Sequence, residues 1–361
     1  MERVLDAGGG PRIVSWNVTA RCNLACAHCY IDADGEGSPG ELDTAEGMAL
    51  IDQIAAVGRP ILVLSGGEPL LRPDIFDLAR YAAGRGLRVA MGTNGILVTD
   101  AVAERLSDTG IRKVAVSIDS TDPGVHDAFR GVSGAWEKAV NGIRALRRAG
   151  VPVQIHTTIG EPDIGEIDRI IAFGKSHGVR DYQFFFPVPT GRGEDLADLP
   201  PEVHEAVIGR ILAHAREPGF SVRPTCAPQF VRVAARMGLD LSQWGRGCIA
   251  GTAYCRITPV GDVTPCPYLP VPVGNIRREA FSDIWHGSEI FAALRDPDSL
   301  GGKCGQCEYR RACGGCRARA YGVRHRRGDA CGGPVRPGDP DGDILAEDPC
   351  CPYEPGEITH D

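Results

Sequence analysis

The chain has no run of about 18 apolar residues, the length a membrane-crossing helix needs, so no helical span is expected. Its first residues, Met1-Glu2-Arg3-Val4-Leu5-Asp6, lack the apolar core of a secretory signal. The expected location is therefore cytoplasmic. Basic residues are in deficit: Lys and Arg number 39 against 47 Asp and Glu, a formal net charge of −8. Non-specific nucleic-acid binding rests on Lys and Arg meeting phosphates, so no nucleic-acid partner is expected. Between Cys29 and Cys226 there is no cysteine at all.

Against those absences stand 14 cysteines, three within Cys22–Cys29 and eleven from Cys226 onward. Reducing compartments do not keep thiols as structural disulfides, and scattered buried thiols would not gather at both ends of a chain. The clustering points to metal sites. With 43% hydrophobic and 24% charged residues, the chain can bury an ordinary core, which excludes wholesale disorder.

From residue 12 to about 187 one plan repeats: a short apolar run, a turn, then an amphipathic stretch. Strands are expected at Ile13–Thr19, Ile61–Ser65, Leu87–Gly92, Lys113–Ile118, Val153–Ile159 and Tyr182–Phe186. They are nearly continuous apolar runs, as strands covered on both faces should be. Helical periodicity falls at Thr44–Val57, Asp100–Asp108, Ala135–Ala149, Ile164–Ser176 and Glu202–Ala215. Strand-then-helix units imply parallel strands joined by right-handed crossovers, in an open sheet or a whole or partial barrel. Residues 216–243 read as a linker. From 244 to 361 the chain is rich in Gly, Pro and Cys, which suggests a small domain held by metals rather than by a large apolar core.

The first cysteine group is Cys22-x3-Cys26-x2-Cys29, in the loop after the first strand. Three thiolates on one loop can hold three irons of a four-iron cluster and leave the fourth open. Structural zinc prefers four closed ligands, and His28, between Ala27 and Cys29, is expected to point elsewhere. The motif, with Tyr30 after it, resembles the radical S-adenosylmethionine (SAM) superfamily. Other positions match in order: Ser65-Gly66-Gly67-Glu68-Pro69 after the second strand, Thr93-Asn94-Gly95 after the third, and Ser117-Ile118-Asp119-Ser120 at the fourth. The resemblance implies an α/β fold: a partial (β/α)6 TIM barrel over residues 10–215, followed by a cysteine-rich iron–sulfur (SPASM) domain. It implies cofactor contacts from Tyr30, Gly66, Gly67, Glu68, Asn94, Ser117 and Arg130.

The other groups are Cys248-x6-Cys255-x10-Cys266, Cys304-x2-Cys307-x5-Cys313-x2-Cys316, and Cys350-Cys351. Paired Cys-x2-Cys also occurs in zinc ribbons, and thiolate ligation alone does not separate zinc from iron–sulfur. Resemblance to the SPASM domain implies two auxiliary clusters. One would be held by Cys248, Cys255, Cys266 and Cys316. The other would be held by Cys304, Cys307, Cys313 and Cys351, with Cys351 preferred to Cys350. Cys226 matches nothing and reads as a buried or linker thiol; Cys331 lies in a Gly/Pro-rich insertion.

The cofactors implied are three four-iron, four-sulfur clusters and SAM, with a flavodoxin- or ferredoxin-type electron donor. The residues Pro11–Thr19, Pro189–Gly193 and Cys313–Ala320 resemble the haem-biosynthesis branch, whose members remove propionate carboxyls from an iron porphyrin. The expected activity is hydrogen abstraction from a small carboxylated or hydroxylated substrate, leading to decarboxylation. Two alternatives stay open: decarboxylation or dehydration of a nucleoside sugar acid or other natural product, and peptide maturation with a separate leader-binding partner. About a dozen residues precede the first strand, so no leader-binding module is expected in the chain itself. The basic stretch Arg317, Arg319, Arg324, Arg326 and Arg327 is either a carboxylate-binding fork or a solvated loop face. Tyr182, His156, Thr157 and Arg192 are expected near the pocket by position alone.

Overall fold

The computed structural model describes residues 9–160, 164–196, 199–240, 244–322 and 342–356. Cys331, Arg324, Arg326 and Arg327 lie outside the described residues.

Seven parallel strands run in chain order: β1 (Ile13–Asn17), β2 (Ile61–Ser65), β3 (Arg88–Thr93), β4 (Lys113–Ser117), β5 (Val153–Thr158), β6 (Asp181–Phe185) and β7 (Ser221–Thr225). Three further strands extend the same sheet beyond β1: β8 (Tyr254–Ile257), β9 (Asp262–Thr264) and β10 (Gly274–Asn275). The sheet is open, with edges at β7 and β10, so the barrel is partial. β8 runs parallel to β1, with Val14 opposite Cys255. The turn at Gly261-Asp262 closes a β8–β9 hairpin in which Arg256 faces Thr264.

Helices cover the outer face: α1 (Thr44–Val57), α2 (Ile75–Gly84), α3 (Asp100–Asp108), α4 (Pro123–Arg130), α5 (Ala135–Arg148), α6 (Ile164–Ser176) and α7 (Pro201–Ala213). The start of α1 is fixed by a capping box, in which Glu46 N–H donates to Asp43 and Asp43 N–H to Glu46. Ile51 and Ile54 on α1 are fully buried, as are Ile143 and Leu146 on α5. Each such side chain contributes about 1.5–3 kcal/mol of burial.

The expected strands and helices are present to within a few residues. One reading is corrected: the stretch taken as a linker, 216–243, contains β7 and α8 (Phe230–Arg236), so a seventh parallel strand follows the six expected on that side of the sheet. After β10 the chain forms α9 (Phe281–Gly287), α10 (Glu289–Arg295), α11 (Gly302–Gln306) and α12 (Arg317–Tyr321).

Candidate functional site

The loop carrying Cys22, Cys26 and Cys29 leaves the C-terminal end of β1. The turn after β2 is pressed against it: Gly67 N–H donates to Thr19 O and Glu68 N–H to Arg21 O, both at 2.8 Å. A Cβ on Gly66 would meet Thr19 O at 2.3 Å, and one on Gly67 would meet Arg21 O at 2.3 Å. Gly66 also has φ of +145°, which side chains rarely adopt. The two glycines are therefore a condition for this approach. From the other side, Ala25 N–H donates to Arg130 O and Ala27 N–H to Phe129 O. Arg192 donates to Cys26 O at 3.1 Å and to Ala33 O at 2.8 Å. His28 stacks on Phe129 at 4.2 Å, and burial holds its imidazole neutral, with the pKa brought down to about 3.

A cavity of about 840 Å3 runs through the barrel from this loop. Of the residues expected at a cofactor, Tyr30, Gly66, Gly67, Asn94, Ser117 and Arg130 all line it. Glu68 does not. It is fully buried, and its carboxylate accepts from Thr93 Oγ1 and from the N–H groups of Asn94 and Leu70. Its place is to brace the ends of β2 and β3. Arg130 is committed to a buried ion pair with Asp119 at 2.5 Å, and its Nη1 lies 3.8 Å from Cys26 Sγ. That pairing leaves it as a brace for the cysteine loop rather than a free carboxylate fork. Asn94 donates to Asn23 Oδ1 at 2.7 Å, and Tyr30 accepts from Asn17 at 2.9 Å. His156 and Arg192 line the cavity; Tyr182 and Thr157 do not, since their hydroxyls donate to backbone carbonyls in the core.

The C-terminal cysteines form two groups. Cys304, Cys307, Cys313 and Cys351 line one small cavity beside Gln229 and Tyr353. Cys350 is fully buried instead, its N–H donating to Asp348. Cys248, Cys266 and Cys316 line the wall of the large cavity. Cys255, expected with them, is on the other face of β8, wholly buried in the main core. A strand turns successive side chains to opposite faces, and Tyr254, its neighbour, is the one that lines the cavity. Cys226 lines the cavity wall with the first group.

Asp348 joins the two groups, accepting from Cys316 N–H at 2.6 Å and Gln229 Nε2 at 2.7 Å while its own N–H donates to Cys304 Sγ. Arg317 and Arg319 are buried cations that donate to main-chain carbonyls: Ile344 and Ala346 for Arg317, Cys226 and Pro187 for Arg319. They are neither a free carboxylate fork nor a solvated face.

The thiols suit iron–sulfur groups. Backbone N–H groups of Ala33, Tyr268 and Tyr309 point at the sulfurs of Cys29, Cys266 and Cys307 at 3.3–3.4 Å, as donors around cluster thiolates do. Among the described residues no three such side chains converge on a single ion. Arg246 is 7% exposed, yet its Nε and Nη1 have no partner, and the thiols of Cys248 and Cys313 lie near it. An anionic group between them would satisfy it. Arg246, Gln229 and Asp348 carry no motif, and only their placement identifies them.

Residues 16–174 match the family model described as the radical SAM superfamily, and residues 248–316 match the one described as an iron–sulfur cluster-binding domain. The chain is 41% identical over 358 residues to the AdoMet-dependent heme synthase of Methanosarcina barkeri, spanning 96% of this chain and 98% of that protein. It is 37% identical over 371 residues to the AdoMet-dependent heme synthase of Nitratidesulfovibrio vulgaris, spanning 99% and 96%. Among solved structures, Streptococcus suis SuiB bound to S-adenosylmethionine shares the fold, with a TM-score of 0.71 at 16% identity over 96% of this chain and 78% of that one. Likeness of that extent along the full sequence, on a partial barrel whose cysteine loop opens into a central cavity, makes this chain a member of the radical SAM superfamily.

Proposed function

We propose that the chain is a radical SAM decarboxylase that converts propionate groups of an iron porphyrin to vinyl groups, using three four-iron clusters. The observation that carries this reading is the cavity. It joins the cysteine loop at the strand ends to a set of cations toward the strand starts: Arg12, Arg88, Arg112, Lys113 and Arg223. Lys113 is paired with Asp181 at 3.0 Å. Among the described residues no carboxylate pairs with Arg12, Arg88 or Arg112. Burial and the nearby Arg12 both disfavour the charge on Arg223. Arg12, Arg88 and Arg112 are exposed to solvent, and guanidinium groups along one cavity suit a ligand with several carboxylates. The names of the relatives above support the same substrate class.

When bound, a reduced four-iron cluster and SAM supply a 5′-deoxyadenosyl radical that takes a hydrogen atom from carbon. Cys22, Cys26 and Cys29 would hold three irons and leave the fourth to SAM. Tyr30, Asn94 and Ser117, which line the cavity beside that loop, would bound the cofactor, and Arg12, Arg88, Arg112 and Arg223 would hold the carboxylates that do not react. For each reacting propionate, a hydrogen atom leaves the carbon one removed from the carboxylate-bearing carbon. The bond to the carboxyl carbon then breaks, carbon dioxide departs, a vinyl group remains and one electron passes to an acceptor. Cys248, Cys266 and Cys316 stand at the wall of the same cavity, and an auxiliary cluster held by them would be the acceptor. A flavodoxin- or ferredoxin-type protein supplies the reducing electron.

Anaerobic turnover tests the reading. Reconstituted, dithionite-reduced enzyme with SAM and iron coproporphyrin should release one 5′-deoxyadenosine and one carbon dioxide per vinyl formed. Deoxyadenosine without any porphyrin product would refute the substrate and leave the radical chemistry standing.

A further inference from the structure

Cys255 belongs to a spacing pattern and Cys226 to none, yet the fold exchanges their positions. Cys226 follows the last residue of β7 directly and has φ of +60°. Among the described residues only Asp32 and Cys226 combine a side chain with positive φ. That conformation costs about 1–2 kcal/mol, and it persists only where the surroundings impose it. Here it sets the Cys226 thiol among the thiols of Cys248, Cys266 and Cys316, with the Arg319 guanidinium beside them. Cys226, Cys266 and Cys316 also share one apolar cluster with Leu269 and Tyr321. Arg319 locks the turn by donating to Cys226 O.

Cys255 has the opposite surroundings. It is wholly buried in the main core, and its charged neighbour is Arg295 on the outer helix α10. Its direction is set by register: Val14 lies opposite it on β1, and the next residue, Arg256, lies opposite Thr264 on β9. Turning the thiol to the cavity would need a one-residue slip, which would reverse every side chain of β8.

We propose that Cys226, and not Cys255, completes with Cys248, Cys266 and Cys316 the four-thiolate site of the first auxiliary cluster. This rests on the reading that the chain carries auxiliary clusters. Four cysteine ligands close every iron, so this site passes electrons and does not bind substrate directly.

The test uses full-length protein in a Cys22→Ala, Cys26→Ala, Cys29→Ala background, which leaves only the auxiliary sites to be read. In that background Cys226→Ser and Cys255→Ser are reconstituted anaerobically. Iron and sulfide are counted, and the reduced proteins are examined by electron paramagnetic resonance. Cys226→Ser should either lose about four irons or keep them with one signal shifted. Cys255→Ser should keep the parent iron content and spectrum. Because Cys255 is a core residue, Cys255→Ala is made beside it, and whichever variant keeps the parent circular dichroism is read. An unchanged spectrum and iron content in Cys226→Ser, or a lost or altered cluster in a folded Cys255 variant, would overturn the assignment. A background protein without iron would instead refute the auxiliary-cluster reading itself. Deoxyadenosine formation by the otherwise unmodified enzyme, measured alongside, reports the radical chemistry independently of both.

Discussion

Arg12 and Arg223 stand within electrostatic reach of each other on the cavity wall. A charge-assisted hydrogen bond contributes about 1.5–3 kcal/mol, and about 1.4 kcal/mol is tenfold in affinity. Arg12→Ala or Arg223→Ala should therefore raise the KM for iron coproporphyrin about tenfold or more. Deoxyadenosine formation in the absence of porphyrin should be unchanged; a variant that alters the latter and not the former would contradict the assignment. A second residue-scale prediction concerns His204 on α7. It is 1% exposed, packs on Phe186 and has no partner for Nε2. Burial, helped by Arg319, holds its pKa well below 6.5. The unfolded chain then binds the proton more readily than the folded one, so stability falls as pH drops below about 6.5. In His204→Leu that loss is absent. The melting temperature of the variant, relative to the parent, should rise between pH 7.5 and about 5.5, as followed by circular dichroism; a constant difference would contradict it. At this scale the sequence was legible for the cysteine loop, whose spacing is local. It was not legible for the buried braces that Glu68 and Arg130 make within the protein. Their buried partners, Thr93 and Asp119, lie 25 and 11 residues away.

The turn after β2 is the element on which the site geometry depends most closely. Gly67→Ala would drive a methyl group into Arg21 O, and the loop of Cys22 would have to move. Stability should fall by about 2 kcal/mol or more. SAM cleavage should fall with it, while the auxiliary cluster signals persist; full SAM cleavage in a folded Gly67→Ala protein would contradict the close approach. Helix α1 was legible because its cap, Asp43, and its buried stripe are both local. Strand β7 was not. Its sequence, Ser221-Val222-Arg223-Pro224-Thr225, contains a proline, which argues against a central strand. As the sheet edge it tolerates one. Missing that strand hid Cys226, because a cysteine at a strand's C-terminal end would have drawn attention and one in a linker did not. The spacing around Cys255 left its direction open for a related reason: a count of residues carries no information about which face of β8 each one takes.

Across the whole molecule the cysteine-rich half is not a separate appendage. β8 pairs with β1 and places β9 and β10 on the barrel's own sheet. Glu46 on α1 pairs with Arg277 at 2.6 Å, and Trp285 on α9 donates to Gly9 O at 3.1 Å. In thermal unfolding of the cluster-loaded enzyme the barrel and the cysteine-rich region should therefore be lost together rather than one after the other. Two well-separated transitions in calorimetry would show that the halves fold independently. The α/β plan was legible from repeated apolar runs, but the continuity between the halves was not, because strand pairing across some 240 residues leaves no local pattern.

Reduced, reconstituted enzyme incubated without oxygen with SAM and iron coproporphyrin, beside the Cys22→Ala, Cys26→Ala, Cys29→Ala variant, measures the central claim. Deoxyadenosine, carbon dioxide and new vinyl groups should form in equal amounts with the parent, and none should form with the variant. Equal deoxyadenosine from both proteins, or none from the parent when its iron content is full, would contradict it.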